Sequence, residues 1–223
     1  MGGRALAGWT TAFVAGVLGV ALTVAAGGDG PLIGEVGLSR WSRDHTPGVL
    51  DPLAEILDLL LTDLAAPIVF VVLLLGVWWA WGRYPAAILA LAGAATGLTR
   101  VADLVERPRP TPGLRWTGYT FGTGGYPSGH AVFAVLVLGT LALLARRHLV
   151  GRAGGRLTIA LWLLVALVCW LRISELEHWP ADVAGGVLLA LPALLGVSWL
   201  EPRIPRWVAQ WPRLARLLGT AGA

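Results

Sequence analysis

Gly124-Gly125-Tyr126-Pro127-Ser128-Gly129-His130 closes a Gly/Pro-rich loop and runs straight into an apolar segment, Ala131 to Ala145. Ser is a preferred N-cap, Pro127 stands just before it, and Gly129 lets the backbone approach a ligand closely, so the stretch reads as a helix opening. The first amides of such a helix have no partner inside it and point outward as a ready anion site. His130 falls in that first turn, where it can touch a held anion. The same residues also suit an ordinary capped helix that carries a stray histidine. Two further stretches bear on the choice, Arg100 to Pro108 and Arg172 to Asp182, and their placement depends on the apolar segments between them.

Of the 223 residues, 56% are hydrophobic and only 13% charged, with a mean hydropathy of +0.71. Soluble domains carry about 25% charged residues, so the composition is that of a membrane protein. A spanning helix needs roughly 20 apolar residues. Six segments qualify, at about 5–26, 66–82, 84–104, 129–146, 157–173 and 182–200. The expectation is an all-α integral membrane protein with six transmembrane helices and one domain over 1–223. Residues 5–26 are read as an uncleaved first span, because the apolar run is longer than a typical signal core. Cys169 is the single cysteine, so no intrachain disulfide can form.

All 17 basic residues are arginine. A formal charge of +4 could suggest nucleic acid, but the distribution argues otherwise. Arg4, Arg83, Arg146, Arg147, Arg152, Arg156, Arg203, Arg206, Arg213 and Arg216 fall on one side of the six-span arrangement, with Glu201 as the only acid among them. This is the positive-inside pattern, and it places both termini in the cytoplasm of a multi-pass plasma-membrane protein. The tail from Glu201 mixes arginine with Trp207, Trp211, Leu214, Leu217 and Leu218, as expected of a cytoplasmic amphipathic segment (201–223) on an anionic leaflet.

The longest outer segment, about 27–65, is expected to be irregular in its first half. From Asp51-Pro52 it reads as a helix, with Asp as cap and Pro in the first turn. Leu53, Ile56, Leu57, Leu60, Leu61 and Leu64 keep helical spacing, while Asp51, Glu55 and Asp58 take the opposite face. Such a short amphipathic helix can lie on the outer membrane surface as a bridge, or flank a lateral entrance for a lipid. Gly82-Arg83-Tyr84-Pro85 is a tight inner turn that pairs the second and third spans. Trp78, Trp79, Trp81 and Tyr84 beside it suit an interfacial aromatic belt. His45 and His148 are read as solvated loop residues.

Arg100 and Arg107 are seven apart at the end of the third span, so they share a helix face that Pro108 then terminates. Snorkelling, or pairing with Asp103 and Glu106, would also account for them. His178 and Asp182 are four apart between spans five and six, and Arg172 precedes them. A carboxylate on one imidazole nitrogen would set the tautomer and leave the other nitrogen free to attack; a structural His–Asp cap fits equally well in isolation. All three stretches emerge on the same outer face, however. Gathered guanidinium groups repel one another unless an anion sits among them, and arginine's planar fork matches phosphate. The constellation reads as a phosphate site.

Arg100 with six residues before Arg107-Pro108, then Pro127-Ser128-Gly129-His130, then Arg172 with five residues before His178 and three more before Asp182, resembles the three-part signature of the type-2 phosphatidic acid phosphatase superfamily. That superfamily also includes bacterial undecaprenyl-diphosphate phosphatases, glucose-6-phosphatase and the vanadium haloperoxidases. Arg100 stands where lysine is commoner, and Leu171 stands where the family usually has serine before its arginine. The resemblance implies that His178 is the nucleophile, Asp182 its orienting carboxylate, and His130 the acid that protonates the leaving oxygen. It implies that Arg100, Arg107, Ser128, Gly129 and Arg172 hold the phosphate. No metal or other cofactor is called for, and the expected partners are a lipid phosphate and membrane lipids, not nucleic acid. Undecaprenyl diphosphate or a similar polyprenyl diphosphate is the expected substrate, with phosphatidate or phosphatidylglycerol phosphate as the alternative. A headgroup-binding transporter, or an oxidative enzyme holding vanadate, uses the arginines differently; the intact His178–Asp182 pair argues against the first, the six compact spans against the second.

Overall fold

The computed structural model describes residues 3–62, 64–97, 105–119 and 124–220, with side chains from residue 7. Helix α1 (Gly3–Ala26) is followed by α2 (Glu35–His45), a 3-10 turn at Gly48–Leu50, and α3 (Asp51–Leu60). Then come α4 (Ala65–Trp81), α5 (Arg83–Ala94), α6 (Gly129–His148), α7 (Arg152–Ser174) and α8 (Pro180–Leu200). Two short helices, α9 (Ile204–Val208) and α10 (Pro212–Leu218), close the chain. No strand occurs among the described residues.

This is an all-helical, multi-pass membrane protein. Among the described residues, four helices are long and apolar enough to cross a bilayer: Ala7–Ala26 of α1, then α6, α7 and α8. The segment Gly48–Leu60 meets α4 at 86°, and counting that bent pair as one span makes five. Six were expected. Helix α4 has 17 residues, roughly 26 Å at 1.5 Å per residue and so short of the ~30 Å hydrocarbon core. The span expected over 84–104 begins as α5, and its end (98–104) lies outside the described residues.

The segment 27–65 departs from expectation before Asp51: an irregular stretch is expected, yet α2 forms there. Few apolar residues mark this helix, and it is held by tertiary contacts instead. Ser39 and Ser42 are fully buried, Trp41 meets Trp170 of α7 edge-on at 5.7 Å, and Trp170 donates to Thr46 at 2.8 Å. The expected helix α3 does form from Asp51, with Pro in its first turn, but the cap position falls to Leu50, without a side-chain cap bond, and Asp51 is the first helical residue. His45 and His148 are not loop residues. Each ends a helix, where His45 stacks on Trp41 and His148 on Trp81.

Helix α6 is the centre of the bundle. Within its apolar window 67% of residues are buried in protein, against 17–33% for α1, α7 and α8. Its Val132, Val135 and Leu136 pack with Val165 and Val168 of α7 and Leu194 of α8. Its Val137, Leu141 and Leu144 pack with Ile88 and Leu89 of α5. At the start of α6, Gly186 of α8 comes so near that a Cβ would stand 2.9 Å from the Ser128 carbonyl oxygen. Small residues permit this approach of two helix backbones, and it brings the N-termini of α6 and α8 together. At the other end of the bundle, Arg147 pairs with Glu201, and Tyr84 donates to the Glu201 carbonyl. The tail folds against this end: α10 packs on α5, while Trp207 and Trp211 remain exposed.

Candidate active site

Three chain segments close on one another at the N-terminal ends of α6 and α8. Ser128 caps α6, its hydroxyl accepting from the Ala131 amide at 3.4 Å, as its residue type and position foretell. Its own amide donates to the Asp182 carbonyl at 2.9 Å, which ties the α6 cap to the first turn of α8. Gly129 and His130 follow in the first turn of α6, and the helix turns π-helical over Ala134–Leu138. Tyr126, fully buried, approaches α1, where its phenol lies 2.9 Å from the Thr23 hydroxyl. Thr23 donates to the Gly19 carbonyl at 2.8 Å, and the phenol donates to the same carbonyl at 3.4 Å. Burial pushes its ionisation above the usual tyrosine range, so it keeps that proton.

The end of α7 and the start of α8 form one tight reversal. Leu176 takes the left-handed conformation (φ 58°), and the His178 amide returns to the Arg172 carbonyl at 3.0 Å. A left-handed residue commonly ends a helix, and this wider 7→1 bond satisfies a carbonyl that the helix leaves open. Here it also brings His178 back over Arg172. Trp179 and Pro180 then start α8, and the Asp182 carboxylate accepts the Trp179 amide at 2.8 Å. Trp179 is wholly buried and donates from its indole to the Pro108 carbonyl at 3.0 Å.

Asp182 does not hold His178 in the expected way. Its Oδ2 lies 3.7 Å from His178 Nδ1, beyond hydrogen-bond reach, whereas the Gly125 carbonyl lies 2.8 Å away. The reason is competition: Asp182 caps α8 and pairs with Arg107, whose Nε is 2.9 Å from Oδ1. Gly125 fits this narrow space because it lacks a side chain; a Cβ there would stand 2.8 Å from Asp182 Oδ2. With Nδ1–H donated to the Gly125 carbonyl, the His178 Nε2 lone pair is free. That atom is buried and makes no hydrogen bond, and the same holds for Nε2 of His130. The two imidazoles stand 6.3 Å apart, centroid to centroid.

The two described arginines of the expected phosphate site are both buried, at 1% exposure for Arg107 and 2% for Arg172. Arg172 pairs with Asp58 of α3 at 2.7 Å. Arg107 pairs with Glu35 at 2.5 Å, donates to the Ala26 carbonyl at 3.3 Å, and its guanidinium lies over the Trp116 ring at 5.2 Å. Pairing with Glu106 is therefore not its role. Arg100 and Asp103 lie outside the described residues. Thus His130, His178, Asp182, Ser128, Gly129, Arg107 and Arg172 converge. Glu35, Asp58, the Gly125 carbonyl and Trp179 join them without having been anticipated. Among the described residues no group of three or more His, Cys, Asp or Glu side chains is gathered as a metal site would be.

A family model described as PAP2 superfamily matches residues 81–206, a little over half of the chain and all three motif stretches. Among solved structures, the chain is similar to one described as the first transmembrane PAP2 type phosphatidylglycerolphosphate phosphatase, from Bacillus subtilis. The TM-score is 0.71, over 87% of this chain and 97% of that one, at 19% identity, a level that speaks for a shared fold. Comparison with curated proteins gives no match.

Proposed function

Since the chain belongs to the PAP2 superfamily, we propose that it is a membrane-embedded lipid phosphatase that works through a phosphohistidine at His178. The observation that carries this reading is the pair of buried, unpartnered imidazole Nε2 atoms beside Arg172 and the α6 N-terminus. A buried polar atom without a partner is costly, and here a phosphoryl group and its leaving oxygen supply the partners. In the first step the His178 Nε2 lone pair forms a bond to the terminal phosphorus as its P–O bond to the leaving group breaks (an anhydride bond in a diphosphate, an ester bond in a monoester), and His130 gives its proton to the departing oxygen. In the second step His130, now neutral, takes a proton from water. The water oxygen bonds to phosphorus, the P–N bond breaks, and inorganic phosphate leaves. Arg172, Arg100, Ser128 and the Gly129 amide hold the phosphoryl oxygens as their charge grows, whereas the Arg107 guanidinium, expected among them, is taken up by Glu35, Asp182 and the Ala26 carbonyl. No step calls for a metal.

The substrate we propose is a polyprenyl diphosphate of the cell-wall carrier type, with the site on the extracytoplasmic face of the plasma membrane. Phosphatidylglycerol phosphate is the second reading, favoured by the description of the structural neighbour. The deciding experiment compares phosphate release from undecaprenyl diphosphate, phosphatidylglycerol phosphate and phosphatidate by purified protein in detergent, with and without chelator. Tenfold preference for either glycerolipid overturns the carrier reading, and loss of activity with chelator counts against the histidine mechanism.

A further inference from the structure

Glu35 lies outside the family match, and the proposed chemistry assigns it nothing. It is nevertheless 5% exposed, and both of its carboxylate oxygens are engaged. Oε2 accepts from the Leu32 amide at 2.5 Å and pairs with Arg107 Nη2 at 2.5 Å. Oε1 accepts from the Ala181 amide at 2.9 Å, in the first turn of α8. That amide is one of those a helix start leaves unpaired, so Glu35 supplies α8 with a cap from a helix 146 residues away.

A burial this deep needs a reason, because taking a carboxylate out of water is expensive unless it is fully paired. Arg107 provides the pairing and passes the constraint on. Its Nη2 is held by Glu35 and its Nη1 by the Ala26 carbonyl, so the guanidinium plane has little freedom, and Nε stands 2.9 Å from Asp182 Oδ1 as an ion pair, without the alignment of a hydrogen bond. The Arg107 backbone carbonyl accepts from the Gly125 amide at 2.8 Å, and the Gly125 carbonyl holds His178 Nδ1. Two carboxylates thus share one guanidinium directly behind the imidazole. Positive charge develops on that ring as its far nitrogen bonds to phosphorus, and an excess of negative charge behind it favours that change.

We propose that Glu35 is a positioning residue of the active site, holding Arg107 against Asp182 and thereby fixing His178 and the charge behind it. The inference rests on His178 being the nucleophile. It differs from a purely structural role because Glu35 acts on turnover through Asp182. Phosphate release from undecaprenyl diphosphate and phosphatidylglycerol phosphate would be measured with the full-length protein in detergent. Glu35→Gln keeps the shape and loses the charge. It should lower kcat roughly 10–100-fold, the usual cost of misplacing a reacting group, with KM within about threefold of wild type.

In an Asp182→Asn background the same substitution should cost nothing further, because residues acting as one unit are not additive. Glu35→Asp, charged but too short to reach both partners, should fall between Glu35→Gln and wild type. Glu35→Gln retaining kcat within twofold overturns the proposal. So does a raised KM at unchanged kcat, a loss that multiplies with Asp182→Asn, or Glu35→Asp no better than Glu35→Gln. Wild type and His178→Ala releasing phosphate equally would instead overturn the histidine mechanism itself.

Discussion

Asp58 of α3 and Arg172 of α7 form an ion pair at 2.7 Å, and the same carboxylate oxygen stands 3.6 Å from Nε2 of His130. A carboxylate from the amphipathic helix therefore occupies the space between a phosphate-type arginine and the proposed acid. Asp58 is half exposed, and Leu57 beside it packs on the core formed by α6, α7 and α8. A phosphate entering this space must share Arg172 with Asp58 or displace it. Asp58→Asn should therefore tighten competitive inhibition by inorganic phosphate about two- to fivefold, in keeping with the ~0.2–1 kcal/mol of an exposed ion pair. Weaker inhibition would mean instead that Asp58 holds Arg172 in its working position.

His178→Ala should abolish turnover while the protein still inserts and folds, since the side chain makes only one hydrogen bond, from Nδ1 to the Gly125 carbonyl. Retention of more than about a tenth of the wild-type rate would sink the nucleophile assignment, because loss of covalent catalysis costs several kcal/mol. Asp182→Asn should also be severely impaired, and less stable, because a buried Arg107 would lose one of its two carboxylates. Thermal unfolding in detergent checks the second part.

His130→Ala should separate the two classes of substrate. A phosphate monoester expels an alkoxide that must be protonated, while a diphosphate expels a phosphate whose second pKa is about 6 and leaves with little help. Monoester hydrolysis should fall roughly 10²–10⁴-fold and diphosphate hydrolysis less. Equal losses on phosphatidate and undecaprenyl diphosphate would remove His130 as the acid.

The proposed sidedness rests on the arginine distribution and is open to a direct labelling test. A cysteine at Thr117, exposed in the segment before the site, should react with an impermeant thiol reagent added to intact cells. Arg152→Cys, exposed at the start of α7, should react only after the membrane is opened. The reverse pattern would place the site in the cytoplasm and remove carrier recycling as its role.

Elements whose hydrogen bonds close within a few residues were legible from the chain alone. Ser128 caps α6 and Asp51-Pro52 begins α3, because helix starts and helix faces are set by neighbours three or four positions away. The apolar lengths likewise dictate a membrane-spanning helical bundle, whereas α2, with few apolar residues, gives no such signal. What only the tertiary structure decided is who partners whom. The Gly125 carbonyl meets His178 across 53 residues, Glu35 meets Arg107 across 72, and Asp58 meets Arg172 across 114. Spacing brought His178 and Asp182 near one another, yet Arg107 and the Trp179 amide compete for the carboxylate and a backbone carbonyl takes its place on the imidazole. Buried polar atoms bond to whatever packing brings within reach, and packing between distant helices leaves no local periodicity in the chain.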